Sequence, residues 1–225
     1  MLHFTFDAER AGQIRTSLLQ TCSLYTGSVS LPPNELVALV IAVCFAAGLN
    51  LYATVATLGL LGRFGWLTLP ASLHVLSGSP VIIGSVVLFG VEFFADKVPA
   101  FDLVWNALHT FIRVPVAALL AYQATASLSP GEQLAATLAG GVIAFIAHGS
   151  KTAVRTVVTP SPEPLSNIAL SLGEDVLAVL LTWMATWKPY IAAAIAAVLV
   201  LISLLLIRWI LRALKALFRG AQQVA

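Results

Sequence analysis

Residues 91–99 read VEFFADKVP, and this charged stretch ends an apolar run that begins at Pro80. Glu92 and Asp96 are four residues apart, so on a helix both carboxylates lie on one face, one turn apart. An ionised side chain in hydrocarbon costs at least about 2.5–3.5 kcal/mol. This face therefore has to meet protein or a water-filled cavity, and the stretch predicts a helical membrane protein with a polar interior.

The composition also places the chain in a membrane. Of its 225 residues, 59% are hydrophobic and 10% are charged, and the mean hydropathy is +0.94. Soluble proteins are about 25% charged. The net charge of +2, with no basic patch interleaved with aromatic residues, argues against a nucleic-acid partner. The two cysteines, Cys22 and Cys44, do not form a disulfide framework.

Apolar runs separated by glycine, proline and charged residues predict an all-α bundle of about six transmembrane helices. The predicted parts are an N-terminal tail (1–34), a transmembrane domain (35–207) and a basic amphipathic C-terminal tail (208–225) suited to anionic lipid. The predicted spans are 35–61, 80–98, 101–127, 133–158, 166–187 and 189–207. The segment 101–127 is either one span kinked at Pro115 or an interfacial helix to Ile112 followed by a short span.

The distribution of lysine and arginine predicts an orientation. Six spans place both termini on one side of the membrane. Ten of the twelve lysines and arginines then fall on that side, and only Arg63 and Lys188 fall on the other. Because cytoplasmic loops carry an excess of these residues, the asymmetry predicts that both termini are cytoplasmic.

The two halves of the chain share a weak similarity. Residues 46–50 (AAGLN) resemble residues 147–151 (AHGSK), each within the opening helix of a half, and residues 90–92 (GVE) resemble residues 173–174 (GE) in the second helix. Three helices per half is an odd number, so duplicated halves would have inverted topology, an arrangement common in transporters. The similarity indicates two inverted three-helix halves as one arrangement of the bundle.

Five of the six predicted helices carry a polar face. Four acids can be matched with four bases, of which Lys97 is one, so buried ion pairs are expected. The residues predicted to bind or transport a ligand are Asn50, Glu92, Asp96, Arg113, His148, Lys151, Arg155, Glu174 and Asp175. His109 and His148 lack the spacing of a metal motif, so no metal ligand and no cofactor is predicted.

The chain lacks the motifs of common enzymes. It has no Gly-x-Ser-x-Gly, no His-Glu-x-x-His and no phosphate-binding glycine loop, so no catalytic residue is predicted and no enzyme is expected. An intramembrane enzyme acting on lipid phosphate is an alternative. In it, Lys151 and Arg155 would hold phosphate and His148 would move protons, but the spacing matches no phosphatase signature.

The favoured hypothesis is a small transporter or channel for an ion or a proton-coupled polar solute, in which Glu92 and Glu174 exchange protons or bind a cation. One alternative is binding or translocation of an anionic lipid, such as a polyprenyl phosphate, by Arg113, Lys151 and Arg155. Another is a non-catalytic membrane assembly protein whose buried ion pairs hold helices in register. The expected partners are membrane lipid and a small ion or polar solute, with a homo-oligomer as an option.

Four motifs together resemble those of a known family. They are Ala47-Gly48-Leu49-Asn50, Glu92-Phe93-Phe94-Ala95-Asp96-Lys97-Val98-Pro99, Arg155 and Ser171-Leu172-Gly173-Glu174-Asp175. The combination is similar to that of a bacterial multi-pass membrane family catalogued as domain of unknown function 4126, over about Glu35 to Leu206. The resemblance implies a small multi-pass protein of the bacterial inner membrane and brings no assigned activity.

Overall fold

The computed structural model describes residues 32–67, 69–96, 98–158 and 164–224, without the side chains of residues 99–103, 164, 165, 167 and 217–224. The described part is helical and contains no strand. Its α-helices are α1 (Pro33–Leu49), α2 (Leu51–Arg63), α3 (Ser79–Ala95), α4 (Pro99–Ala124), α5 (Pro130–Val158), α6 (Pro164–Trp187) and α7 (Pro189–Val224), and a 3-10 helix (Ala71–Ser77) precedes α3. The predicted tail up to residue 31 and Lys97 lie outside the described residues.

Proline marks where most of these helices begin. All the described α-helices except α2 have proline as their first or second residue: Pro33, Pro80, Pro99, Pro130, Pro164 and Pro189. The first N–H of a helix has no partner within the helix, so proline loses no hydrogen bond there and its fixed φ suits the first turn. For this reason the helices begin close to the starts predicted from the sequence.

Four of the described helices are long and apolar enough to cross a membrane: Val104–Ala124, Pro130–Val158, Ile168–Trp187 and Pro189–Ala216. α3 supplies a fifth candidate when it is taken together with the 3-10 helix, from which it is bent by 61°. The chain is therefore a multi-pass helical membrane protein with four to five candidate spans. The six predicted spans are not confirmed.

The predicted span 35–61 is broken at Asn50 into α1 and α2, of 17 and 13 residues. Leu58 of α2 lines the same small cavity as Val40 and Cys44 of α1. On one straight helix, Leu58 and Cys44 would lie about 21 Å apart along the axis. We conclude that α2 turns back toward the end of the bundle at which α1 begins. The two helices form a hairpin, the α1–α2 hairpin, and neither of them is among the described helices that are long and apolar enough to cross a membrane.

α1 and α5 run in the same direction. A Cβ on Gly140 would lie 2.8 Å from the Cys44 sulfur, and one on Gly48, a turn further along α1, would lie 2.6 Å from the Ala144 carbonyl oxygen. The two glycines let the helices cross closely, as small residues do in membrane bundles. Inverted halves would require these two opening helices to run in opposite directions, so the predicted inverted halves are not confirmed.

α1 is the innermost helix of the described bundle. Every residue from Ala42 to Asn50 is buried, and α1 packs against α4, α5, α6 and α7. α4 runs antiparallel to it and is one helix of 26 residues that continues through Pro115. Of the two interpretations of the segment 101–127, the structure has the single helix rather than an interfacial helix followed by a short span.

α7 begins beside α1 and extends past it. The Asn34 side-chain amide donates to the Tyr190 hydroxyl at 2.5 Å, and Ile207 approaches Gly149, well beyond the middle of α5. α7 has 36 residues, so it is about 54 Å long, against about 30 Å for the hydrocarbon core. The segment predicted as a separate basic tail, 208–225, continues α7, and it lies at the end of the bundle opposite the start of α1.

Candidate functional site

Ion-paired side chains from four helices meet around the tip of the α1–α2 hairpin. We call this group the charged cluster, and its members are Glu92 and Asp96 at the end of α3, Arg113 on α4, Lys151 and Arg155 on α5, and Glu174 on α6. All of these side chains are at most 1% exposed except that of Glu174, which is 14% exposed. The cluster is thus enclosed by protein and approaches the surface at Glu174.

Lys151 lies at the centre of the charged cluster. Its ammonium nitrogen is 3.0 Å from an Asp96 oxygen, 3.2 Å from a Glu174 oxygen and 3.5 Å from a Glu92 oxygen. A fourth oxygen, the carbonyl of Leu49, lies at 3.4 Å. Three carboxylates and a backbone carbonyl therefore surround one ammonium group.

The two arginines bind the same carboxylates from either side. Arg113 pairs with Glu92 through a charge-assisted hydrogen bond. Arg155 donates to Glu174 at 2.7 Å and to Asp96 at 3.2 Å. Removing one partner of a buried ion pair typically costs about 3–5 kcal/mol, because the other charge is left buried and uncompensated. Substitution of a single member of the charged cluster is therefore expected to destabilise the protein.

The helix break supplies a backbone ligand. In a continuous helix the Leu49 carbonyl would accept from the N–H of Ala53, but that N–H donates to the side-chain oxygen of Asn50 at 2.9 Å. The carbonyl accepts instead from Arg113 at 3.3 Å and from Lys151 at 3.4 Å. The C-terminal end of α1, where the helix dipole is negative, therefore faces two cations.

His148 is neutral and oriented by its partners. Its Nδ1 lies 2.9 Å from an Arg113 guanidinium nitrogen, which can only donate. Its Nε2 lies 3.0 Å from the Asn106 carbonyl oxygen, which can only accept, and 2.8 Å from the Thr110 hydroxyl. The proton is therefore on Nε2, and the imidazole supports Arg113 from behind.

His109 has the opposite tautomer for the same kind of reason. Its Nδ1 lies 2.8 Å from the Trp105 carbonyl oxygen, so that nitrogen donates, and its Nε2 accepts from the Tyr52 hydroxyl at 3.0 Å. Within the described residues, no group of three His, Cys, Asp or Glu side chains is arranged around an open metal position. The absence of a metal site stays a prediction.

Asp175 and Asn50 form a pair next to the charged cluster. The Asn50 amide donates to one Asp175 oxygen at 2.8 Å. The other Asp175 oxygen and one oxygen of Glu92 are buried and have no hydrogen-bond partner in the described part of the chain. Together with Asp175, the described site holds four carboxylates and three cations, because Lys97 lies outside the described residues.

The structure brings together the whole set of binding residues predicted from the sequence. All members of the set except the partly exposed Glu174 are buried, and each is bonded to another member of the set. The cavity of about 10 Å³ near Cys44 is lined by other, apolar side chains. The charged side chains contact other protein groups. The sequence predicts that they contact either protein or a water-filled cavity, because lipid cannot solvate them.

Sequence reasoning missed the Leu49 carbonyl, Tyr52 and Thr110, and it left Ser171 outside the predicted site, although the Ser171 hydroxyl lies 3.3 Å from an Asp96 oxygen. Thr110 follows Asn106 at helical spacing and so was recognisable in principle. The carbonyl has no side-chain signature. The one feature of the sequence that indicates it is Asn50, because asparagine inside an apolar run favours the start of a new helix and therefore a break after Leu49.

No curated protein and no solved structure matches the chain. The sequence model of one family, described as "Domain of unknown function (DUF4126)", matches residues 37–209, which include the charged cluster and the α1–α2 hairpin. The match covers more than half of the chain, and the protein therefore belongs to the DUF4126 family.

Proposed function

We propose that the protein is a small transporter or channel for a cation, or for a polar solute coupled to protons. The observation that carries this proposal is the charged cluster with Asp175 at the tip of the α1–α2 hairpin, where one oxygen of Glu92 and one of Asp175 are buried without a hydrogen-bond partner among the described residues. Buried carboxylate oxygens without a donor attract cations and protons rather than anions.

The energetic cost of the cluster supports a functional role. Buried ion pairs are often no more stabilising than apolar side chains of the same volume. A bundle that needed only rigidity would be served as well by leucine and valine at these positions. Ionisable residues inside a membrane bundle are functional candidates for this reason.

The α1–α2 hairpin supports the same proposal. Non-helical backbone is tolerated at membrane depth where protein or a water-filled cavity surrounds it. In transporters, broken helices place carbonyl oxygens at the C-terminal ends of half-helices near the transported ion. The Leu49 carbonyl has this position at the end of α1, directed at Lys151 and Arg113.

The alternatives fit less well. An anionic lipid head group held by Arg113, Lys151 and Arg155 would have to displace carboxylates that already pair with all three, and these side chains are at most 1% exposed. A non-catalytic assembly protein accounts for the ion pairs but not for the partnerless oxygens of Glu92 and Asp175.

We also propose a bacterial inner membrane as the location, with the basic end of α7 in the cytoplasm. Arg208, Arg212 and Lys215 are exposed there, and such residues concentrate on the cytoplasmic side. The start of α1 then lies at the opposite face, so the proposal that both termini are cytoplasmic depends on residues 1–31, which are not described. Green fluorescent protein fused after Ala225 should fluoresce, and an active alkaline phosphatase fusion at the same place would reject this orientation.

The test is cation flux into proteoliposomes loaded with a pH dye, with imposed Na⁺ or K⁺ gradients. Glu92→Gln and Glu174→Gln should each reduce proton-coupled flux at least tenfold. Glu132→Gln is the matched control, because Glu132 is an exposed glutamate that caps the start of α5 through Ser129 and lies outside the cluster. Wild-type flux in both cluster variants would reject the proposal.

A further inference from the structure

We infer that the exposed basic face near the end of α7 binds the head groups of anionic phospholipids in the surrounding bilayer. Its described members are Arg208, Arg212 and Lys215, which we call the basic stripe. This surface lies outside the charged cluster, so its role does not depend on the proposed transport function. Three features of α7 lead to this partner: where the helix leaves the bundle, where it meets the membrane boundary, and which way its cations face.

One narrow face of α7 packs against the bundle. Ala196, Ser203 and Ile210 are buried and recur every seven residues, which places them on one side of the helix. Every residue from Leu211 to Ala216 is exposed. α7 therefore leaves the described bundle after Ile210, although it continues beyond that point as an unbroken helix.

Exposed aromatic side chains mark two membrane boundaries on α7. Tyr190 is 51% exposed and Trp209 is 66% exposed, and no charged residue lies between Tyr190 and Arg208. The two aromatic residues are 19 positions apart in the sequence. On a helix this separation is about 28 Å, close to the thickness of about 30 Å of the hydrocarbon core. Because tyrosine and tryptophan concentrate at both interfaces of a bilayer, we place Trp209 at the interface from which the basic stripe begins.

The basic stripe extends outward from this interface. Arg208 directly precedes Trp209. Arg212 lies about 6 Å and Lys215 about 10 Å further along the helix axis than Arg208. The head-group layer on each side of a bilayer is about 5–8 Å thick. The basic stripe therefore passes through the layer that contains the lipid phosphates.

The basic stripe faces away from the bundle and its charge is not neutralised by the helix that carries it. Spacings of four and three residues place its members on one side of α7, nearly opposite the buried Ile210. All three side chains are exposed, and none of them has an ion pair or a hydrogen bond within the described part of the chain. No aspartate or glutamate follows Asp175 in the sequence, so α7 contains no acid that could pair with them.

Anionic phospholipids match both the charge and the depth of the basic stripe. A guanidinium group binds phosphate through two parallel N–H donors, and an ammonium group binds it as a point charge. A zwitterionic head group carries its own ammonium, so the basic stripe should prefer a lipid with a net negative charge. A soluble acidic protein would reach only the outer part of the basic stripe, because Arg208 lies at the hydrocarbon boundary.

The experiment is native mass spectrometry of the purified full-length protein in mixed micelles that contain equal amounts of phosphatidylglycerol and phosphatidylcholine. The wild type should retain phosphatidylglycerol in preference to phosphatidylcholine. Arg208→Gln and Arg212→Gln should each lower this preference about fivefold, which is the contribution of one basic residue near an anionic surface, and changing all three members of the basic stripe to Gln should abolish it. Arg63→Gln combined with Lys188→Gln is the matched control, because these exposed cations lie at the other end of the bundle and should leave the preference unchanged.

A second measurement uses the wild type alone and so does not depend on the folding of any variant. Raising ammonium acetate from about 0.05 M to about 0.5 M should remove most of the preference, because salt screens exposed charges. Equal retention of the two lipids by the wild type, a preference that survives in the triple variant or at high salt, or an equal loss in the control would overturn the inference. A wild-type dimer that the triple variant does not form, without any lipid preference, would also overturn it and would assign the basic stripe to contact with a second copy of the chain.

Discussion

Replacing Asn50 with alanine should destabilise the protein more than any other single amide substitution in the described bundle, because Asn50 has two roles. Its side-chain oxygen accepts from the N–H of Ala53 and starts α2, and its amide donates to buried Asp175. Loss of such a helix cap costs about 0.5–2 kcal/mol. Loss of a buried hydrogen bond to a charged group costs about 1.5–3 kcal/mol. The expected loss of unfolding free energy is therefore about 2–5 kcal/mol.

The measurement is reversible unfolding in mixed micelles, followed by circular dichroism and by tryptophan fluorescence. A double-mutant cycle with Asp175→Ala isolates the hydrogen bond, and we expect a coupling of about 1–3 kcal/mol between the two positions. Asn34→Ala is the matched control, since Asn34 is exposed at the start of α1 and its side-chain bond, to the Tyr190 hydroxyl, is solvent-exposed, so its loss should change stability by about 0.5 kcal/mol or less. If Asn50→Ala lowered the unfolding free energy by no more than the control does, or if the coupling were near zero, the break at Asn50 would not depend on these two bonds.

Three further changes test the packing and the ion pairs. Gly48→Ala should destabilise by about 1–3 kcal/mol, because its Cβ would lie 2.6 Å from a backbone oxygen of α5, whereas Gly84→Ala, with open space around it, should be neutral or slightly stabilising in the same unfolding assay. Arg155→Lys should lower both the stability and the flux, since a single ammonium cannot replace both guanidinium nitrogens, of which Nη2 donates to the Asp96 and Glu174 carboxylates and Nη1 to the Asp96 carbonyl; equal stability would show that charge alone suffices there. In a Cys22→Ser background, the fully buried Cys44 should resist a membrane-permeant maleimide until the protein unfolds, and rapid labelling of the folded protein would contradict its burial beside α4.

The sequence by itself determined that this is a helical membrane protein and which side chains turn inward. Both conclusions follow from one physical rule, since lipid can solvate leucine but cannot solvate the carboxylates of Glu92 and Asp96. Prolines then mark the helix starts, because their effect is local and acts through a single missing N–H.

Only the tertiary structure decided that the first apolar segment is a hairpin and that Lys151 is the centre of the site. Asn50 signals a helix start, but the direction in which α2 leaves depends on its packing against α3 and α6, far away in the chain. The partners of Lys151 are likewise 55 residues before it and 23 residues after it, at Asp96 and Glu174. Charge pairing at such separations is set by which helices become neighbours, and a backbone oxygen such as that of Leu49 becomes a ligand only when the fold brings a cation to it.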